Sequence, residues 1–77
     1  MMIYIVEDDK NIQEIESFAL KNSGYEVHGF ECARDFYAAL DEQIPDLVLL
    51  DIMLPDEDGL QILKKMRLNH STVLVPV

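Results

Sequence analysis

A chain of 77 residues, 49% hydrophobic and 27% charged, has the size and composition of one small soluble globular domain. Its 15 acidic and 6 basic residues give a net charge of −9, which argues against direct contact with nucleic acid, where clustered Lys and Arg must meet phosphates. A single cysteine, Cys32, excludes an internal disulfide and a cysteine zinc site, and no apolar run reaches the roughly 18–20 residues of a membrane span.

Met1-Met2 is followed at once by Ile3-Tyr4-Ile5-Val6, so no signal peptide precedes the first apolar run and a cytoplasmic protein is expected. That run is short, β-branched and aliphatic, the pattern of a buried strand, and it ends in Glu7-Asp8-Asp9. Tyr4, if buried there, needs a partner for its hydroxyl. Asp9 is expected to cap a helix in which Ile12, Ile15, Phe18 and Ala19 recur at helical spacing, with Gly24 where a C-cap belongs. Tyr25-Glu26-Val27-His28-Gly29-Phe30 alternates apolar and polar and predicts a second strand at a sheet edge. Ala33, Phe36, Tyr37 and Leu40 fall at i, i+3, i+4 and i+7, which predicts an amphipathic helix of about three turns.

Ile44-Pro45-Asp46 ends that helix and launches a third strand, Leu47-Val48-Leu49-Leu50, which stops at Asp51. A loop from Asp51 to Asp58 follows. Asp58 is expected to cap a third helix with Leu60, Ile62, Leu63 and Met66 inward, and with Lys64, Lys65 and Arg67 complementing the dipole near its end. Phe18, Phe30, Phe36, Tyr37, Met53 and Met66 are expected in the core. Val73-Leu74-Val75-Pro76-Val77 has the composition of the start of a fourth strand.

Strands alternating with helices in the order βαβαβα, plus a partial strand, predict an α/β fold with a parallel sheet covered on both faces. Ligands of such sheets bind beyond the carboxyl ends of the strands. Glu7, Asp8 and Asp51 all stand at those ends, and carboxylates brought that close repel one another and call for a cation. A hard divalent ion such as Mg2+ keeps several waters, so one or two carboxylates and a backbone carbonyl suffice; Met53, two residues past Asp51, can supply the carbonyl. Without the ion, repulsion should raise at least one carboxyl pKa. With it, Asp51 can act as a nucleophile toward a phosphoryl group.

Other patterns carry less. Asp56-Glu57-Asp58-Gly59 resembles part of a calcium loop, but Leu54 holds the first ligand position and Lys65 the last, so that reading fails. His28 and His70 have no second His or Cys at ligand spacing. For Asp9, capping is a better reading than metal contact.

Ile3-Tyr4-Ile5-Val6-Glu7-Asp8-Asp9 together with Pro45-Asp46-Leu47-Val48-Leu49-Leu50-Asp51-Ile52-Met53-Leu54-Pro55-Asp56-Glu57-Asp58-Gly59 resembles the receiver domain of two-component response regulators. The wording is nearest to receivers of the winged-helix (OmpR/PhoB-like) transcription factors. The resemblance implies a flavodoxin-like doubly wound sheet of order 2-1-3-4-5. It also implies Asp51 as phosphoacceptor, Asp8 as direct metal ligand, Glu7 as its acidic partner, Met53 as carbonyl ligand, and Pro55 and Gly59 as residues shaping the loop. Mg2+ would be the cofactor and a histidine kinase the phosphodonor, in a signalling module rather than an enzyme.

The family also places a Ser or Thr at the end of its fourth strand and a Lys at the end of its fifth. Neither position falls within residues 1–77, and Lys64 and Lys65 belong to the third helix. The chain is therefore expected to be the N-terminal part of a receiver, C-terminally truncated and lacking switching competence. An alternative is a structural one, a homodimer paired or swapped through the bare edge at residues 73–77 or an apolar face. An aspartyl-nucleophile phosphohydrolase would need a second Asp two residues after Asp51, where Met53 stands.

Overall fold

The computed structural model describes residues 1–77. β1 (Met2–Val6) is buried at every position, since it lies in the middle of a three-stranded parallel sheet and both its faces are covered. Its neighbours are β2 (Glu26–Phe30) and β3 (Leu47–Leu50), giving the order β2-β1-β3. The registers pair Val6 with Phe30 on one side and with Leu50 on the other. Three helices, α1 (Lys10–Asn22), α2 (Ala33–Glu42) and α3 (Gly59–Leu68), alternate with the strands as the apolar spacing requires. No helix is long and apolar enough to cross a membrane.

Alternate residues of β1 serve opposite faces, as strand geometry dictates. Met2, Tyr4 and Val6 join Val48, Ala33, Phe36, Ile62 and Met66 in the larger core beneath α2 and α3. Ile3 and Ile5 join Val27, Leu20, Leu47 and Leu49 on the α1 side. Tyr4 finds the partner that burial demands, donating its hydroxyl to Gln43 O at 2.9 Å.

The helix ends follow their local chemistry. Asp9 Oδ1 accepts the Asn11 and Ile12 N–H groups at 2.9 and 3.2 Å, and Asp58 Oδ1 accepts that of Leu60 at 2.7 Å. α1 closes in a Schellman turn: Tyr25 N–H donates to Leu20 O and Gly24 N–H to Lys21 O, with Gly24 at φ +95°.

Three expectations are corrected. Residues 73–77 form no fourth strand. Val75 is buried in the larger core and Val48 N–H donates to Pro76 O at 3.0 Å, but Val75 N–H is turned to Thr72 O and Pro76 has no N–H, so no ladder develops. Instead Arg67 Nη1 gathers this segment, donating to Thr72 O, Val73 O and Val75 O at 3.4, 3.1 and 2.8 Å. Second, Phe18 is 74% exposed, with Ile12 and Ile15 also outside. Gln13, Glu16, Ser17 and Leu20 form an equally regular stripe, and it is this stripe that is half-buried toward the sheet. Third, Met53 (81% exposed) and Leu60 lie outside the core, the first on the loop after β3 and the second in the opening turn of α3.

Candidate functional site

Glu7 and Asp51 are the first residues beyond β1 and β3, and the ladder runs one step past the strands to hold them abreast. Glu7 N–H donates to Phe30 O and Asp51 N–H to Val6 O, both at 2.9 Å. Asp8 follows on the turn into α1. One carboxylate oxygen from each of Glu7, Asp8 and Asp51 lies within 4.8 Å of the others. Parallel pairing thus joins acids separated by more than 40 positions of sequence, as the pattern predicted.

Electrostatics at this cluster are uncompensated. The protein's ion pairs are Lys10–Glu31, His28–Glu26, Arg34–Asp35 and Lys65–Glu57, and none of them touches the three acids. The Glu7 carboxyl is pushed above its ordinary pKa, first by burial and then by the Asp51 charge and hydrogen bonding with Asp51 and Asp8; the Asp9 N–H opposes this. That N–H reaches Glu7 Oε2 at 3.2 Å, while the Asp9 carboxylate stays on the helix cap, outside the cluster. Oxygen donors this close together are chemically able to hold a hard divalent ion.

The loop after β3 is built to return under Asp51. Met53 N–H donates to Asp51 Oδ1 at 3.2 Å, and Met53 pairs with Asp58 in an isolated antiparallel bridge. Gly59 N–H donates to Ile52 O at 2.8 Å. A Cβ on Gly59 would overlap Asp51 O and lie 2.8 Å from Ile52 Cα, so only glycine lets α3 begin this close to the acid. Pro55 stands exposed on the outside of this loop.

Three residues at the site escaped the sequence reading. Asp56 caps a helix that is not its own: its two carboxylate oxygens accept Ala33 N–H at 2.8 Å and Arg34 N–H at 3.0 Å, because the N-cap residue of α2, Cys32, has no side-chain cap bond. Those bonds hold the Asp56 carboxyl below its ordinary pKa. Glu57 accepts the Tyr37 hydroxyl at 2.8 Å and pairs with Lys65 Nζ at 3.0 Å, and burial followed by Glu57 pushes the Tyr37 hydroxyl well up. Gln13 donates its side-chain amide to Glu7 O and Phe30 O at 3.0 and 3.1 Å. No local motif announces the Asp56 cap or the Tyr37–Glu57 bond, since Ala33 and Tyr37 lie 20 or more positions upstream.

Comparison with known proteins agrees with this arrangement. The family described as "Response regulator receiver domain" matches residues 3–77. The N-terminal domain of a response regulator receiver protein from Methanoculleus marisnigri JR1 is 32% identical, with a TM-score of 0.92 over 99% of this chain and 62% of that one. The signal receiver domain of a signal transduction histidine kinase from Syntrophus aciditrophicus is 26% identical, TM-score 0.94, over 99% of this chain and 58% of that one. The Mn2+-bound form of response regulator Rcp1 is 29% identical, TM-score 0.89, over 99% and 61%. The chain spans about three fifths of the length of these structures.

Proposed function

The chain belongs to the response regulator receiver domain family, and on that premise we propose that Asp51 is the phosphoacceptor of a two-component signalling module. The observation that carries this reading is the uncompensated trio Glu7, Asp8 and Asp51 at the carboxyl ends of adjacent parallel strands. An Asp51 carboxylate oxygen attacks the phosphorus of a phosphohistidine on a histidine kinase. The P–N bond breaks as the P–O bond forms, and the departing imidazole nitrogen takes up a proton. Asp8 and Asp51 would hold Mg2+ through carboxylate oxygens and Met53 through its backbone carbonyl, with Glu7 as the acidic partner. When bound, the ion supplies positive charge against the transferring phosphoryl oxygens. Pro55 and Gly59 shape the loop that keeps Asp51 in place.

The Thr72 hydroxyl and the Lys65 ammonium are engaged away from this site. Thr72 donates its hydroxyl to Met66 O at 2.8 Å, and Lys65 pairs with Glu57. Residues 1–77 on this reading accept the phosphoryl group without switching, in a cytoplasmic regulator whose output is transcriptional, and without enzymatic turnover. Titration with Mg2+ or Mn2+, followed by calorimetry, tests the site: saturable binding that Asp51→Asn weakens at least tenfold is expected. Equal binding by the two proteins would remove the metal from the account.

A second reading, a homodimer without signalling activity, is favoured by the exposed stripe of Ile12, Ile15 and Phe18 on α1 and by the outer edge of β3, where Val48 N–H donates to Pro76 O without a ladder forming. Sedimentation distinguishes it: a stable monomer across the micromolar range would exclude this reading.

A further inference from the structure

We propose that Gln13 is a positioning residue for the acidic site, fixing the backbone from which Glu7 and Asp8 project; this rests on the receiver reading of that site. Gln13 occupies the second turn of α1 on the stripe turned toward the sheet, and it is half-buried. The Glu7 carbonyl is the first beyond β1, and no backbone N–H reaches it. Gln13 Nε2 supplies the missing donor at 3.0 Å and gives a second bond to Phe30 O, the last carbonyl of β2, at 3.1 Å. Two N–H groups on one nitrogen thus meet two carbonyl oxygens, an arrangement that fixes which end of the carboxamide faces the sheet.

Gly29 makes the space for this clasp. A Cβ at Gly29 would overlap the Gln13 carboxamide and come within 3.1 Å of Gln13 Cγ. Gly29 pairs with Ile5 in the ladder, one step before Val6 and two before Glu7. The clasp and the Asp9 N–H, which reaches the Glu7 side chain at 3.2 Å, hold the short turn from β1 to α1 from two sides. A polar stripe facing the sheet is otherwise an odd choice for a helix that carries Ile12, Ile15 and Phe18 on its other side. The clasp accounts for Gln13 within that stripe.

The test compares Mn2+ affinity, by calorimetry or by the paramagnetic resonance of free Mn2+, in the whole chain and in Gln13→Met, Gly29→Ala and Leu20→Ala, with folding followed by circular dichroism. Gln13→Met keeps shape and removes the donors; Gly29→Ala displaces the carboxamide from the other side. Each is expected to weaken Mn2+ binding about tenfold, in keeping with losses of outer ligand-orienting bonds elsewhere. Leu20→Ala, on the same stripe but remote from Glu7, is expected to lower the melting temperature with affinity unchanged. Affinity within twofold of the original in a folded Gln13→Met, or in Gly29→Ala should Gln13→Met not fold, overturns the positioning role alone. Affinity lost equally in Leu20→Ala overturns it too, since general loosening then explains the effect. Absence of Mn2+ binding in the unaltered chain overturns the metal-binding reading of the acidic site and this inference with it.

Discussion

The two faces of the sheet hold the molecule together in different ways. Beneath α2 and α3, Tyr4, Phe36, Ile62 and Met66, with the half-buried Phe30, form an aromatic and aliphatic core, and Phe36 and Ile62 are fully buried. Beneath α1 the cover is thin: Leu20 packs on Ile3, Ile5 and Val27, while no residue of the helix is fully buried and its most apolar stripe faces outward. Stability therefore resides mainly on the α2/α3 face, and α1 contributes position, through the Asp9 cap and the Gln13 clasp. The acidic site lies at the sheet end both faces share. Its loop is tied to α2 by Asp56 and to Tyr37 and Lys65 by Glu57, and the Glu7 backbone is tied to α1 by Gln13.

The sharpest way to break this contrast is a pair of phenylalanine truncations. Phe36→Ala should cost about 3–5 kcal/mol, enough to unfold a domain this small, whereas Phe18→Ala should stay within about 0.5 kcal/mol. Urea or thermal unfolding measures both; equal costs would mean that the α1 face is packed as tightly as the other. Next in size, Tyr4→Phe leaves Gln43 O without its donor and should cost about 1 kcal/mol by the same measurement. Asp58→Ala, which removes the α3 cap, should cost a similar amount of about 1 kcal/mol.

The smallest expected effects concern pH. The Asp56 carboxyl has a lowered pKa in the fold, so its contribution is present above the unfolded value and lost as pH falls through the folded one. Asp56→Asn should flatten the acid limb of a stability-against-pH curve. Glu7 has the opposite sign: a carboxyl raised by folding costs stability as pH rises from its unfolded to its folded value. Glu7→Gln should thus make the metal-free protein more stable at neutral pH, by less than about 1 kcal/mol, while weakening divalent-ion binding. A Glu7→Gln protein less stable at pH 7 would show that burial and the neighbouring charge do not oppose ionisation of Glu7 in the fold.

Much of this architecture was legible along the chain because its causes are local. Asp9 and Asp58 as caps, Gly24 at the end of α1, and three apolar runs as parallel strands need only nearest neighbours and the pleat. The meeting of Glu7, Asp8 and Asp51 needed one more step, the parallel pairing of the first and third strands, which the alternation of elements supplies. What was not legible depends on distant partners. Asp56 reads as a solvated loop acid until α2 is placed beside it, and Gln13 as a polar surface residue until Phe30 arrives 17 positions later. The orientation of α1 was ambiguous because two stripes of equal period run along it, and the apolar one is outside. Residues 73–77 have strand composition, yet a proline and a turn bond remove the donors a ladder needs.

The central claim is that Asp51 accepts a phosphoryl group in a metal-assisted pocket. Incubating the chain with Mg2+ and a small-molecule phosphodonor, followed by intact mass and peptide mapping, tests it most directly. A gain of one phosphoryl group, mapped to Asp51, dependent on Mg2+ and absent in Asp51→Asn, is predicted. No gain in mass from the folded chain, or a gain that persists in Asp51→Asn, would contradict it.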